Sequence, residues 1–527
     1  MKTGLFFLTA ALFFSGSCST SIFDPPEKQS GNRTMDIAFW TAHSTRKILQ
    51  KDARPDQARL EMHICSAKNE FEAIQIIATP RKSIANLRIH IGNFTGGLFR
   101  KISRENIEIR YSCYVPIPDK NTHYPDPLPP LDKIDLSPGI NQPIFIIVKV
   151  PADADAGQYS SPVTIKWDGG EYKSHLHLTV WDFALPDAPR CVTSFGCWGD
   201  FAVKAHGLAP GTPEASLLNR KYYEMLLDYK ISAFDIPAPY DSPEAAKYFL
   251  DPRMTSYKIP EFEKDDAQLK RIVEILKKND WWDKGYFYLV DEPNNREQYD
   301  LMHQRAERVR KIAPDARIIG TFCGRPQFDA SKTFVPYAEK DVNLWCIVSS
   351  LYMDDKDVHG EVWEQHQKGD DLWWYVCCGP GHPYCNFFVD MAGMQHRMLF
   401  WQQKMNKVDG LLYWNAIFWN EDSNVGSPDP WSDIDTFKPA NPSPYGDGSL
   451  FYPGKKIGLD EPVPSQRLLN IRDGIEDYDY LCLIEEKYGE KEARGNIGRL
   501  VKSMTEYSTD YLELEKIRKE MAEKLSE

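Results

Sequence analysis

Gly285-Tyr286-Phe287-Tyr288-Leu289-Val290-Asp291-Glu292-Pro293-Asn294 decides how this chain is read. The first six residues form an apolar run of strand length, rich in aromatics, bounded by a proline. Such a run suits a strand buried on both faces of a parallel sheet. Two acids then follow where the strand would leave the core. Like charges a few ångströms apart raise each other's pKa. Chemistry that needs one proton donor beside one carboxylate can use such a pair. The competing reading is structural: Asp291 would cap the following helix, with Pro293 in its first turn.

Working outward, the same alternation of strand and helix continues in both directions. Strands are expected over 192–198, 231–236, 285–290, 316–322, 342–348, 372–377 and 410–415. Helices are expected over 214–229, 265–278, 295–312 and 395–407. Alternation of this kind over nearly 300 residues implies a parallel sheet, and the length fits a closed (β/α)8 TIM-like barrel. An open doubly wound sheet is the alternative, weakened because no strand ends in a Gly-rich phosphate loop.

Before Leu185-Pro186-Asp187-Ala188-Pro189 the pattern is different. Residues 70–78, 144–150, 163–167 and 175–181 alternate or run apolar at strand length, with turn signals between them. This predicts an N-terminal β-sandwich. His175 and His177, at period two, are expected on its exposed face rather than around a metal. The division is therefore 35–186 as the β-sandwich domain and 187–485 as the (β/α)8 catalytic domain. Residues 486–527 are C-terminal helices packed on the barrel.

The N-terminus reads as a targeting segment. Lys2 precedes an apolar run from Leu5 to Phe14, too short to span a membrane, and Ser15-Gly16-Ser17-Cys18 closes it. Small residues directly before a cysteine resemble a bacterial lipobox. Residues 1–17 are then a lipoprotein signal peptide, Cys18 the lipidated residue, and 18–34 a tether. The expected location is the bacterial cell envelope, on the periplasmic or cell-surface side. Ordinary secretion is the alternative.

The formal net charge of -13 includes no basic block, so nucleic acid is not an expected partner. Membrane contact is expected only through the lipid anchor. The cysteines beyond Cys18 show neither CxxC spacing nor a disulfide framework, and no metal or cofactor is expected.

In a parallel barrel, chemistry collects at the C-terminal strand ends. Here those ends read Cys197-Trp198-Gly199-Asp200, Asp291-Glu292, Trp373-Trp374-Tyr375, Tyr413-Trp414-Asn415 and Trp419-Asn420-Glu421. Neither a Ser or Cys nucleophile elbow nor His-Glu-x-x-His occurs among them. Carboxylates with aromatic plates point to a glycan and to glycoside hydrolysis. Asp291 and Glu292 are the catalytic candidates. Trp374, Tyr375, Trp414, Asn415 and Trp419 are the substrate-binding candidates, by position.

Two mechanisms compete. An ordinary retaining glycosidase needs two carboxyls about 5–5.5 Å apart across the bond. Glu292 would be the acid/base, and the nucleophile would come from another strand, with Glu421 the candidate. In the other mechanism, a 2-acetamido group on the substrate attacks the anomeric carbon itself. Glu292 is then the acid/base, and Asp291 holds the acetamido N–H. A non-catalytic carbohydrate-binding lipoprotein is the reading from a different class.

The Asp291-Glu292 pair, the β-rich region before the barrel and two later stretches resemble glycoside hydrolase family 123. Those stretches are Gly446-Asp447-Gly448-Ser449-Leu450-Phe451-Tyr452-Pro453-Gly454 and Arg472-Asp473-Gly474-Ile475-Glu476-Asp477-Tyr478-Asp479-Tyr480-Leu481. The resemblance covers roughly 71–483. It implies an exo-acting β-N-acetylgalactosaminidase that works by the substrate-assisted route, with the family's adjacent acids at Asp291 and Glu292. Gly446-Asp447-Gly448 is either a turn that holds a loop over the site or a purely structural turn.

Overall fold

The computed structural model describes residues 36–56, 58–97, 99–260 and 265–527. The signal peptide, Cys18 and the tether lie outside the described residues. Among the described residues no helix is long and apolar enough to cross a membrane.

The N-terminal part is built of two sheets. One orders its strands Ile37–His43, Phe71–Pro80, Gln142–Lys149 and Ile107–Tyr111. The main path of the other is Ile134–Leu136, Ile84–Ile91, Gly157–Trp167, Gly170–Ala184 and Met62–Lys68. Alternation gives each sheet an apolar face, and these faces share one core: Ile74, Ile76, Ile144 and Ile146 from the first sheet meet Leu176, Leu178, Val163 and Ile165 from the second. His175 is exposed and His177 half-buried, on the opposite face of their strand from Leu176 and Leu178.

The first sheet is buried on its back as well. Ala73, Phe145 and Ile147 belong to the large core shared with the second half of the chain. This explains why the Phe71–Pro80 strand carries almost no exposed residue. Ile37–Glu527 accordingly forms one compact unit, and the composition shift at 185–189 does not separate two independent bodies.

The second half is a nearly closed ring of seven parallel strands. Their order is Val192–Phe195, Gly410–Tyr413, Asp371–Val376, Leu344–Val348, Ile318–Phe322, Gly285–Tyr288 and Tyr257–Lys258. One expectation needs correction here, and one strand is additional. The 231–236 strand is reduced to a single bridge at Ala233. Tyr257–Lys258, too short to give a periodic signal, is a strand that the sequence pattern did not reveal. The 232–234 segment bonds to both edges. Phe195 N–H donates to the Ser232 carbonyl (2.9 Å), Phe234 N–H to the Phe195 carbonyl (2.8 Å), and Lys258 N–H to the Phe234 carbonyl (2.7 Å).

Side chains at alternate positions fill the ring: Phe234, Tyr286, Ile319, Leu344, Cys346, Trp373, Tyr375 and Leu412. Burying each large apolar side chain contributes about 1.5–3 kcal/mol. Their neighbours point outward to the helices. The Asp266–Lys278 helix shows the expected stripe, with Leu269, Ile272, Val273 and Leu276 buried, and Asp265 caps it through the Gln268 N–H (2.8 Å).

The Gln466–Tyr488 helix runs through the middle of the molecule and is buried on nearly every face. Its Gly474 has no room for a side chain, since a Cβ would lie 2.3 Å from Phe400. The last helix, Tyr511–Ser526, contacts both the Gln466–Tyr488 helix and the Gly170–Ala184 strand, and its Arg518 pairs with Glu70 and Glu72 of the first half.

Candidate active site

The strand Gly285–Tyr288 delivers Asp291 and Glu292 to the C-terminal rim of the ring. Neither acid caps the helix that follows. Asn295 does so: its side chain accepts the Gln298 N–H (3.0 Å), while Gln298 Oε1 accepts the Asn295 N–H (3.4 Å), a complete capping box. The structural reading of Asp291 is thereby removed. Glu292 has φ +41°, in the left-handed region that a residue with a Cβ enters at a cost of about 1–3 kcal/mol. That turn sends two consecutive side chains in different directions.

The partners of the two carboxylates are neutral hydroxyls and a thiol. Tyr288 Oη donates to Asp291 Oδ1 at 2.7 Å, and Thr321 Oγ1 donates to the same oxygen at 3.3 Å. Thr321 Oγ1 in turn accepts the Glu292 backbone N–H at 3.1 Å. Thr321 is buried at the end of the adjacent strand, so one hydroxyl ties the backbone of one acid to the side chain of the other. Both hydrogen bonds to Asp291 fall on Oδ1, which leaves Oδ2 for a ligand.

Tyr375 Oη donates to Glu292 Oε1. Burial, with the neighbouring carboxylate, holds the Tyr288 and Tyr375 hydroxyls well above the usual phenol range, so both remain donors. The Cys323 thiol is pushed up to about 12 by loss of water around it and by Glu292, to which it hydrogen-bonds. An open depression of about 510 Å3 begins at Cys323 and continues along Val348, Leu351 and Asp354.

The other expected site residues divide by register. Trp373 and Tyr375 point into the ring, so Trp374 points out and is fully buried among the helices. Trp374 is a core residue, and Tyr375 is the one that reaches the acids. Trp419 is also core: its Nε1 donates to Ser449 Oγ (2.9 Å) and its ring meets Tyr222 edge-on. Asn415 is fully buried and spends Oδ1 on the Ile417 N–H (3.0 Å). Glu421 lies on an exposed loop, paired with Lys204 at 2.7 Å.

Trp414 is half-buried at the rim and is held from several sides. Its Nε1 donates to both Asp447 oxygens at 3.1 Å. Gly448, at φ +70°, lies under the ring, where a Cβ would come within 2.3 Å of Trp414 Cζ2. Burial raises Asp447 to about 7, against the hydrogen bonds from Trp414 and Tyr413. The Gly446-Asp447-Gly448 turn is therefore a cradle for one tryptophan. Cys378 feels the charges of both Glu292 and Asp447.

Sequence reasoning missed Tyr288, Thr321, Cys323 and the role of Asp447. Tyr288 was legible in principle, three residues before Asp291 on the same strand. Thr321 and Cys323 gave no signal, because only the ring brings neighbouring strand ends together. Among the described residues, no cluster of three or more His, Cys, Asp or Glu is arranged to hold a metal. No disulfide joins any two of the ten described cysteines, and Cys377 and Cys378 have their sulfurs 3.9 Å apart.

With this geometry in hand, the chain can be set beside known proteins. Residues 222–484 match the model of the glycoside hydrolase 123 catalytic domain. This region belongs to glycoside hydrolase family 123. The match spans the acid pair, the cradle turn and most of the central helix. Among solved structures, a family 123 glycoside hydrolase from Clostridium perfringens, studied for glycolipid glycan hydrolysis, superposes with TM-score 0.65 at 13% identity, covering 93% of this chain and 97% of the other. At that identity the likeness shows the fold. A GH2 β-galacturonidase from Eisenbergiella tayi is far more remote, with TM-score 0.32 and 10% identity over 84% of this chain and 73% of the other. No curated protein matches the chain. Family and fold together support glycoside hydrolase activity, with a glycan as substrate.

Proposed function

We infer that this chain releases a terminal β-linked N-acetylhexosamine, N-acetylgalactosamine before N-acetylglucosamine, by a retaining, substrate-assisted mechanism. The observation that carries the reading is the unequal dress of the two acids. Asp291 has one oxygen fixed by Tyr288 and Thr321 and the other available, as a group that receives an acetamido N–H requires. Glu292 is turned away from it by the left-handed backbone, toward Tyr375 and the depression at Cys323.

In the first step the acetamido carbonyl oxygen bonds to C1. The C1–O bond to the leaving group breaks, and the leaving oxygen takes the proton of Glu292. Asp291 accepts the N–H of the cyclised oxazolinium and offsets its charge. In the second step Glu292 takes a proton from water as that water attacks C1, and the ring reopens with the starting anomer. Positioned proton transfer contributes ~10²–10⁴-fold.

The ordinary retaining route lacks support at its proposed nucleophile, since Glu421 is exposed and paired with Lys204. In this reading the ring is a (β/α)8 barrel and the N-terminal sheets a β-sandwich. The enzyme is held at the bacterial envelope through Cys18.

A panel of aryl β-N-acetylhexosaminides tests the activity, and a thiazoline mimic of the cyclised intermediate tests the mechanism. Turnover with tight thiazoline inhibition is expected, together with loss of turnover but retained thiazoline binding in Asp291→Asn. Trapping of Glu421 by a 2-fluoro sugar without thiazoline inhibition would establish the ordinary route. Saccharide binding without any release would establish the binding lipoprotein.

A further inference from the structure

Four arginines are buried among the described residues, and three of them are spent on carboxylates. Arg397 pairs with Asp477, Arg467 with Asp126, and Arg518 with Glu70, Glu72 and Asp477. Arg472 is different. It lies on the same central helix as Arg467 and is only 3% exposed, yet it pairs with no carboxylate among the described residues, and its Nε and Nη2 have no hydrogen-bond partner. A buried guanidinium without an acceptor is costly. Its two faces are covered instead, over the Phe71 ring at 4.1 Å and the Tyr229 ring at 4.9 Å. Held between two aromatic rings, the group is fixed in orientation and keeps its edge for an acceptor.

Arg472 lines a cavity of about 190 Å3 between the outer strand of the first sheet, Ile107–Tyr111, and the end of the Pro213–Asp228 helix. Two further cations line it. Arg110 donates Nε to Glu108 (2.8 Å) and Nη1 to the Leu128 carbonyl (3.0 Å), which leaves Nη2 available. Lys149 is exposed, with its ammonium 5.1 Å from the Phe71 ring centre and no ion pair among the described residues. The acids of the cavity are engaged or peripheral: Glu108 is answered by Arg110, Asp228 by Arg253 at 2.7 Å, and Glu105 is exposed at the rim. Tyr229 stands just before the 231–236 segment, which runs parallel to its neighbour in the ring. The cavity therefore lies toward the N-terminal end of the ring, away from the rim that carries Asp291 and Glu292.

We propose that this cavity binds a small oxyanion, a phosphate or a carboxylate, on the edge of Arg472, with Lys149 and Arg110 supplying further positive charge. A guanidinium fork matches both groups. The volume is below the ~300–1,000 Å3 of sites for drug-sized ligands, which limits the occupant to a few heavy atoms. Phe71, Arg110 and Lys149 come from the first sheet, and Tyr229 and Arg472 from the second half, so the anion ties the two together. The site is independent of the glycosidase reading and stands whatever the enzyme cleaves.

Calorimetric titration of the full chain with inorganic phosphate, and separately with acetate at the same ionic strength, tests the site. One saturable site is expected for at least one of them, and the one that binds more tightly gives the class of the natural occupant. At ~100 times its Kd that anion should raise the melting temperature by about 3 °C. Arg472→Lys keeps the charge but loses the fork, and its affinity is expected to fall roughly tenfold. Lys149→Gln changes an exposed residue and should lower affinity roughly threefold. Absence of saturable binding by the wild type overturns the site. So does an unchanged affinity in Arg472→Lys or, should that variant not fold, in Lys149→Gln.

Discussion

Two stretches of this chain crowd acids together, and they do opposite things. At Asp291-Glu292 the partners are hydroxyls and a thiol, and part of each carboxylate remains available. Along the Gln466–Tyr488 helix, Asp473, Glu476, Asp477 and Asp479 are all buried. Asp477 accepts from Arg397 (2.9 Å) and Trp401 (2.8 Å) and pairs with Arg518 (2.9 Å). Arg518 also binds Glu70 and Glu72, and Arg467 of the same helix binds Asp126 at 2.8 Å. The lesson is that acid density along a sequence carries no functional meaning by itself. Neutral partners at an open rim leave part of a carboxylate available to a ligand, whereas burial among charged and hydrogen-bonding partners, guanidinium groups at Asp477 above all, makes a carboxylate architecture.

This contrast can be broken experimentally. Its sharpest form predicts that Glu292→Gln lowers turnover of a glycoside with a poor leaving group by ~10²–10⁴-fold while the melting temperature barely moves. Steady-state rates alongside calorimetry check both halves. Conversely, removing a guanidinium from the buried group leaves charges without a partner. Arg518→Met should cost ~3–5 kcal/mol in denaturant unfolding, while the folded fraction keeps its kcat. A large loss of kcat at unchanged stability would mean that the two groups are not independent.

Smaller effects sharpen the picture. Tyr288→Phe removes one of the two donors on Asp291 Oδ1, and kcat is expected to fall roughly tenfold with KM little changed, as for loss of one hydrogen bond to a charged group. Thr321→Val should behave alike. The last effect concerns pH and leaves activity untouched. Burial raises Asp479 to about 6, even with Lys230 and the Arg190 N–H beside it. The folded state therefore retains a proton that the unfolded chain has already released, and stability contributed by this group declines as pH rises from about 4 to 6. Asp479→Asn should flatten the melting-temperature profile over that interval, by the equivalent of ~1–3 kcal/mol.

Much of the barrel was legible because parallel strands and amphipathic helices write their periods locally. The 285–290 run, the 372–377 run and the stripe of Leu269, Ile272, Val273 and Leu276 were all visible. Tyr257–Lys258 was not, since two residues carry no period. The aromatic candidates failed for a related reason. Position at a strand end says that a residue is near the rim but not which way it points, and one step of register separates Tyr375, on Glu292, from Trp374, in the core. The acid pair was readable because its two members are adjacent. Tyr288 and Thr321 became partners only through folding, and Asp447 arrives at Trp414 from 33 residues away in the chain.

Arg518 meets Glu70 and Glu72 across 448 and 446 residues of sequence. Those glutamates sit at the start of a strand in the first sheet to emerge during synthesis. Until the Tyr511–Ser526 helix is made, they lack their counter-ion and must keep water around them, so the sheet cannot seal its inner surface. The molecule is thus a clasp whose hook is translated long after its eye, and a product lacking that helix would be left gaping and exposed to proteases far from the missing segment.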